Sequence, residues 1–466
     1  MAEAVTLSFF CVALVVCAVA NIPVVVALVL GLVGFLAYGR LKGHPWRALA
    51  DMALGGVRSV SNILIAFLLI GMLTALWRAC GTIPFITCYA SYAVSPRTMV
   101  LAAFLLNALL SLLTGTSFGT AATMGVICMT MGVTMGVDPV LMGGAILSGA
   151  YVGDRMSPVS TSALLVATIT RTTVMGNMGA MLRSAVVPLF ASCAVYLVLG
   201  LVLVAPESAA DAASASSASS DPMVLFSGEF ALHWSTLVPA VVMIGLAVCR
   251  VDVKLAMLAG VVAAVPVCLL VQGVPMLDVL RFAVLGYAAE SPAVAELLDG
   301  GGVVSMINVA AIVCVSSTFA GIFDGTGLLD RLKGLVARVE EGSSPFIATL
   351  AAAALTSVVA CNQTLAIMLT HQLCGDFGRD ARQRAVDLED SAVVVPALVP
   401  WSIAGAVPLA AVGAPTMSLL LACYLYLTPL WRAIMSVVRP SNNTLRPGGS
   451  NPSTSTNPSP NPVGAD

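Results

Sequence analysis

Apolar runs of about 20 residues, enough for one helical membrane crossing each, follow one another along most of the chain. Polar residues fall in short clusters between or inside them. Residues 62–81, NILIAFLLIGMLTALWRACG, and 308–327, NVAAIVCVSSTFAGIFDGTG, are two such runs. At that length per crossing the apolar residues suffice for roughly ten to twelve helices. The opening stretch to Gly39 is too long for one simple span and is interrupted at Asn21, Ile22 and Pro23. It reads as two helices meeting at a turn, with one long tilted helix as the alternative. The pattern predicts an all-α polytopic membrane protein.

Three segments leave the pattern. Residues 40–58 carry Arg40, Lys42, Arg47 and Arg58; residues 205–230 are Ser/Ala-rich and acidic; the tail from 440 to 466 is rich in Pro, Ser, Asn and Thr and predicts disorder. The chain thus divides into a transmembrane half (1–204), a loop (205–230), a second transmembrane half (231–439) and the tail. Cytoplasmic loops carry an excess of Lys and Arg. That rule puts residues 40–58, Arg171 to Arg183, Arg250 to Lys254 and Arg331 to Arg338 inside, and the acidic 205–230 loop and Asp278 to Asp299 outside.

A weak repeat lies beneath this alternation. Asn62 and Asn308 are 246 residues apart, and the same offset carries Trp77 onto Phe323, Gly81 onto Gly327 and Thr116 onto Asn362. The run opening at Asn62 starts inside, whereas the run opening at Asn308 starts outside. Two similar units in opposite orientation predict the inverted-repeat architecture of secondary transporters, with broken helices around a midplane site.

Composition sharpens this reading. Of 466 residues, 59% are hydrophobic and 9% charged, against about 25% charged in a soluble domain. A net charge of −2 offers no basic face to nucleic acid. The 12 Cys are scattered and read as small apolar core residues. No Walker A or H-E-x-x-H pattern occurs, so the chain reads as a gradient-driven transporter and not as an enzyme or ATP-driven pump. No cofactor is expected. The partners are a small ion or molecule and the lipid bilayer, the expected location is the plasma (inner) membrane, and a homodimer is compatible with the chain.

Four polar clusters interrupt the runs. Residues 114–120 read TGTSFGT, where Thr114, Thr116 and Ser117 could unwind a helix and offer oxygens to a hard cation such as Na⁺; tight packing of small residues is the bland alternative. Residues 148–161 read SGAYVGDRMSPVST. Charges at membrane depth cost about 3 kcal/mol each on insertion scales, so Asp154 and Arg155, followed by Ser157, Pro158, Ser160 and Thr161, mark a transport path in a broken helix. The alternative is a structural Asp–Arg pair. A carboxylate that holds either a proton or a cation, never both, couples two opposite fluxes. The third cluster is Asn362-Gln363-Thr364, which could bind a cation or substrate or join helices. The fourth is Glu389-Asp390-Ser391, leading to Pro400-Trp401-Ser402.

Through GTSFGT (115–120), GDRMSPVS (153–160) and LEDS (388–391) with Val399-Pro400-Trp401, the chain resembles the sodium/proton antiporter NhaC family over about residues 62–430. The resemblance implies exchange of Na⁺ for H⁺, with Na⁺ as cargo near Asp154, Thr116 and Asn362 and with Asp154, Asp390, Glu389 and Arg155 in the coupling group. Related members exchange organic anions such as malate and lactate, which makes a small organic acid or amino acid the alternative substrate. Two carboxylates of the family pattern are absent: Thr161 and Asn362 stand where Asp is usual. Ser402 replaces the usual Asn.

Overall fold

The computed structural model describes residues 2–19, 24–90, 92, 94–204, 222–249, 251–326, 344–360, 362–375 and 380–438. The polar residues that interrupt the apolar runs start helices. Thr116, Asp138, Ser160, Thr173, Asp252, Asn362, Asp380 and Ser402 each accept a hydrogen bond from a first-turn N–H, satisfying a donor the helix leaves open. Among the described residues every regular element is helical, and the one extended pairing is an isolated bridge between Tyr287 and Gly300.

The first half comprises α1 (Ala2–Val19), α2 (Val24–Leu41), α3 (Trp46–Ser59), α4 (Ser61–Ala79), α5 (Thr82–Ala90), α6 (Pro96–Thr114), α7 (Ser117–Thr120), α8 (Val126–Thr134), α9 (Pro139–Met156), α10 (Thr161–Ile169) and α11 (Val174–Leu203). A π-helical turn, Ala121–Gly125, joins α7 to α8. The second half runs through α12 (Pro222–Ser227), α13 (Val238–Val248), α14 (Val253–Leu270), α15 (Met276–Leu285), α16 (Pro292–Leu298), α17 (Gly302–Ser305), α18 (Ile307–Thr326), α19 (Pro345–Ala360), α20 (Gln363–Cys374), α21 (Ala381–Glu389), α22 (Ile403–Val412) and α23 (Cys423–Val438).

The opening stretch is two helices: Phe10 packs at Gly31 and Phe9 at Gly34, so α1 and α2 are antiparallel. The turn expected at residues 21–23, most of the acidic loop (205–221), the cationic segment 331–338 and the tail lie outside the described residues. The last part of the expected loop is ordered as α12, which packs near α5.

Among the described residues five helical stretches are long and apolar enough to cross a membrane, and a sixth arises if α3 and α4, bent by 44°, count as one span. Five more apolar helices are shorter, among them Pro345–Val358 and Ile403–Val412. Among the described residues full-length spans are thus fewer than the ten to twelve helices expected, and several apolar runs are cut by an internal break. Chains break inside a membrane only where protein covers the freed backbone.

Two breaks are hairpin tips. In the first, α6 ends at Gly115 and the chain returns through α7 and α8; the Thr114 and Thr120 hydroxyls lie 3.3 Å apart across the turn. In the second, α19 ends beside Asn362 and returns as α20, with the Thr356 and Thr370 hydroxyls 2.8 Å apart. Two further breaks interrupt crossing helices, α9 to α10 at residues 157–160 and α21 to α22 at residues 390–402. The packing is reciprocal: α10 contacts α20 and α21, and α22 contacts α7 and α9.

The helix α9 is central. Every residue from Leu141 to Met156 is buried, which its many small residues permit by letting neighbouring backbones approach. A Cβ on Gly153 would sit 2.0 Å from the carbonyl carbon of Ser111. Directions follow from such contacts. Leu73 meets Gly260 and the Cys80 carbonyl accepts from Gln272 at 3.1 Å, so α4 and α14 are parallel. Gly56 meets Ser317 and Gly321 meets Met52, so α18 is antiparallel to α3. The two runs of the weak repeat therefore point in opposite directions.

Candidate functional site

Asp154 lies in the last turn of α9, two residues before its end, and is 4% exposed. Its backbone carbonyl accepts from the hydroxyls of Ser160, in a short contact, and Ser162, at 2.7 Å. These hydroxyls cap a helix end that the break would otherwise leave unsatisfied. The carboxylate accepts from Gln363 Nε2 at 2.8 Å, and the same amide nitrogen donates to the Val393 carbonyl at 2.8 Å. The tip of the second hairpin thus joins the α9–α10 break to the α21–α22 break. From the first hairpin, the Ser117 amide faces the Asp154 carboxylate and its side chain faces Tyr151. Gly115 makes the tight approach possible. It adopts φ +69° with Ser160 N only 2.7 Å from where a Cβ would stand. All four breaks meet around one carboxylate.

Arg155 is the next residue but points elsewhere, as neighbours on a helix do. It is fully buried and donates to Tyr424 Oη at 3.0 Å, Ser184 Oγ at 2.6 Å and the Met181 carbonyl at 3.3 Å. It forms an ion pair with Asp390, which is also fully buried. Ser184 donates to Asp390 in turn at 3.2 Å. Arg432 reaches Asp390 Oδ2 at 3.7 Å and donates to Asp387 Oδ1 at 3.0 Å. The structural Asp–Arg pair therefore exists, but it joins Arg155 to Asp390 across the two halves and not to Asp154. Asp390 is tied down, and Glu389, 1% exposed, has an Oε2 with no hydrogen-bond partner among the described residues.

The hydroxyl and amide candidates divide by role. Thr116 and Asn362 spend a side-chain oxygen as N-caps, accepting from Gly119 and Leu365. Thr114 donates to the Leu110 carbonyl and Ser157 to that of Leu112, holding the first hairpin together and to the break. Thr161 is exposed beyond the junction. Thr364 is also exposed and lines, with Asn362 and Gln372, a cavity of about 770 Å³ between α3, α18 and α20. Among the described residues neither Thr116 nor Asn362 hydrogen-bonds to Asp154. Among the described residues no group of three or more His, Cys, Asp or Glu side chains is placed to hold a resident metal ion.

Ser184, Tyr424, Asp387 and Arg432 belong to this network without having been singled out in the sequence. For two of them a signal exists. Asp387 stands three residues before Asp390, and Arg432 is a lone cation in the apolar run 423–438.

A helical membrane protein in which broken segments enclose buried charges is a polytopic transporter. The Na⁺/H⁺ antiporter family model matches residues 2–173 and 149–438, and the chain belongs to that family. It is 26% identical over 422 residues to the Na(+)/H(+) antiporter NhaC of Alkalihalophilus pseudofirmus, covering 88% of each chain. It is 24% identical over 427 residues to the malate-2H(+)/Na(+)-lactate antiporter of Bacillus subtilis, covering 90% of this chain and 88% of that one. It is also 26% identical over 386 residues to the arginine/ornithine antiporter ArcD of Halobacterium salinarum, covering 81% and 79%.

Proposed function

We propose that the chain exchanges Na⁺ for H⁺ across the plasma membrane, with Asp154 as the carboxylate that binds one or the other. The observation that carries this is its placement. Asp154 alone among the buried acids of the junction touches elements of both halves through neutral partners, the Gln363 amide and Ser117, while Asp390 is neutralised by Arg155. A carboxylate held only by neutral donors can exchange a proton for a cation without breaking an ion pair. The reciprocal packing of the broken helices and the opposed directions of α4 and α18 support an inverted repeat, which would let the junction open alternately to either side.

An organic acid or amino acid remains the second reading. It is favoured by the cavity of about 770 Å³ at Asn362, roomy for a bare ion, and by relatives named for malate, lactate, arginine and ornithine. Reconstituted vesicles carrying a pH gradient separate the two. Na⁺, K⁺, lactate, malate and amino acids are added in turn, and dissipation by Na⁺ alone supports the first reading. Dissipation by an organic solute and not by Na⁺ overturns it.

A further inference from the structure

Away from the Asp154 junction, three guanidinium groups line one cavity of about 500 Å³. Arg183 comes from α11, Arg382 from α21 and Arg432 from α23, and Trp431 stands beside Arg432. Arg183 and Arg382 are exposed, and neither forms an ion pair among the described residues. The one acid among the described residues of the lining, Asp380, caps α21 by accepting from Gln383 N at 2.7 Å. The inner wall is Ser184, whose hydroxyl touches both Arg155 and Asp390. An excess of cytoplasmic Arg accounts for their side of the membrane, but not for three of them, from three helices, facing one space.

We infer that this cavity binds a phosphate group between Arg183 and Arg382. Guanidinium forks match phosphate oxygens in paired hydrogen bonds, and two of the three forks here have no carboxylate partner among the described residues. Trp431 is the amphipathic kind of side chain that sits at a membrane interface, so the phosphate can belong to an anionic lipid headgroup or be free in solution. A bound phosphate also competes for Arg432. Of that residue's two carboxylate partners, Asp390 at 3.7 Å is farther than Asp387 at 3.0 Å, so the contact with Asp390 yields first. Occupancy of the cavity would then act on the Arg155–Asp390 pair through Arg432.

The test does not depend on which solute is exchanged. The thermal unfolding midpoint of the purified full-length protein is measured in detergent against inorganic phosphate at fixed ionic strength. It is measured again in nanodiscs of phosphatidylcholine with and without phosphatidylglycerol. Wild type is compared with Arg183→Gln/Arg382→Gln and with Arg382→Gln alone, all at exposed positions where folding should persist. Saturable stabilisation by phosphate, with an apparent affinity about tenfold weaker or worse in the double variant, identifies free phosphate. Stabilisation by phosphatidylglycerol that the double variant loses identifies a lipid headgroup. If neither condition separates wild type from the double variant, the site does not exist.

Discussion

Asp154 and Arg155 are consecutive, yet α9 aims one at the junction of four breaks and the other at Asp390. This separates two kinds of substitution. Asp154→Asn keeps the shape and the contact with Gln363 but removes the exchangeable charge, so solute-driven proton flux in vesicles should fall to background while the unfolding midpoint stays near wild type. Near-normal flux with an unchanged pH profile would make Asp154 a structural anchor. Asp390→Asn should act first on stability. It strands the Arg155 guanidinium in the core, and breaking a buried pair costs about 3–5 kcal/mol, so the midpoint should drop markedly. Glu389→Gln breaks no ion pair among the described residues and should leave the midpoint close to wild type. A stable Asp390→Asn protein beside a collapsed Glu389→Gln protein would reverse these assignments. The polar clusters were legible in the sequence because charge in an apolar run is costly. Their partners were not, because Gln363 and Asp390 lie 209 and 235 residues away from Asp154 and Arg155 and only the fold brings them together.

At the scale of elements, the breaks were readable and their geometry was not. Gly115, Pro158, Asn362 and Pro396 each interrupt an apolar run by a known local mechanism: a left-handed conformation, a missing N–H or a side-chain cap. The sequence could not show that Thr116 and Asn362 are consumed as caps, because capping a helix and coordinating a cation call for the same oxygen. Nor could it show that runs such as 345–360 stop short of a full crossing, since apolar length is the same whether a helix spans or turns back. The tightest approach tests the arrangement. Gly153 has no room for a side chain against α6, and Gly153→Val should prevent α6 and α9 from closing, with loss of folded protein in detergent by size-exclusion chromatography. Gly136→Val has no neighbour within 4 Å of the new Cβ. It carries only the strain of φ +74° and should cost less, about 1–2 kcal/mol. Equal losses in the two variants would mean that the α6–α9 contact does not hold the site together.

For the whole molecule, the alternation of charged loops and the directions of the helices constrain each other. The positive-inside rule starts both α4 and α14 in the cytoplasm, and their contacts make them parallel. The same rule starts α18 outside, and its contacts make it antiparallel to α3. Neither line of argument uses the other's data, so their agreement supports an inverted architecture in which the two hairpins approach Asp154 from opposite faces. Single cysteines in a cysteine-free background, probed with a membrane-impermeant maleimide, test this directly. Arg47→Cys and Lys254→Cys should react only from the cytoplasmic side, and Asp278→Cys and Val304→Cys only from outside. If Arg47→Cys and Val304→Cys react from the same side, the mates of the repeat are parallel. The junction would then be reached by both hairpins from one face, and an alternating-access path through Asp154 would lose its structural basis.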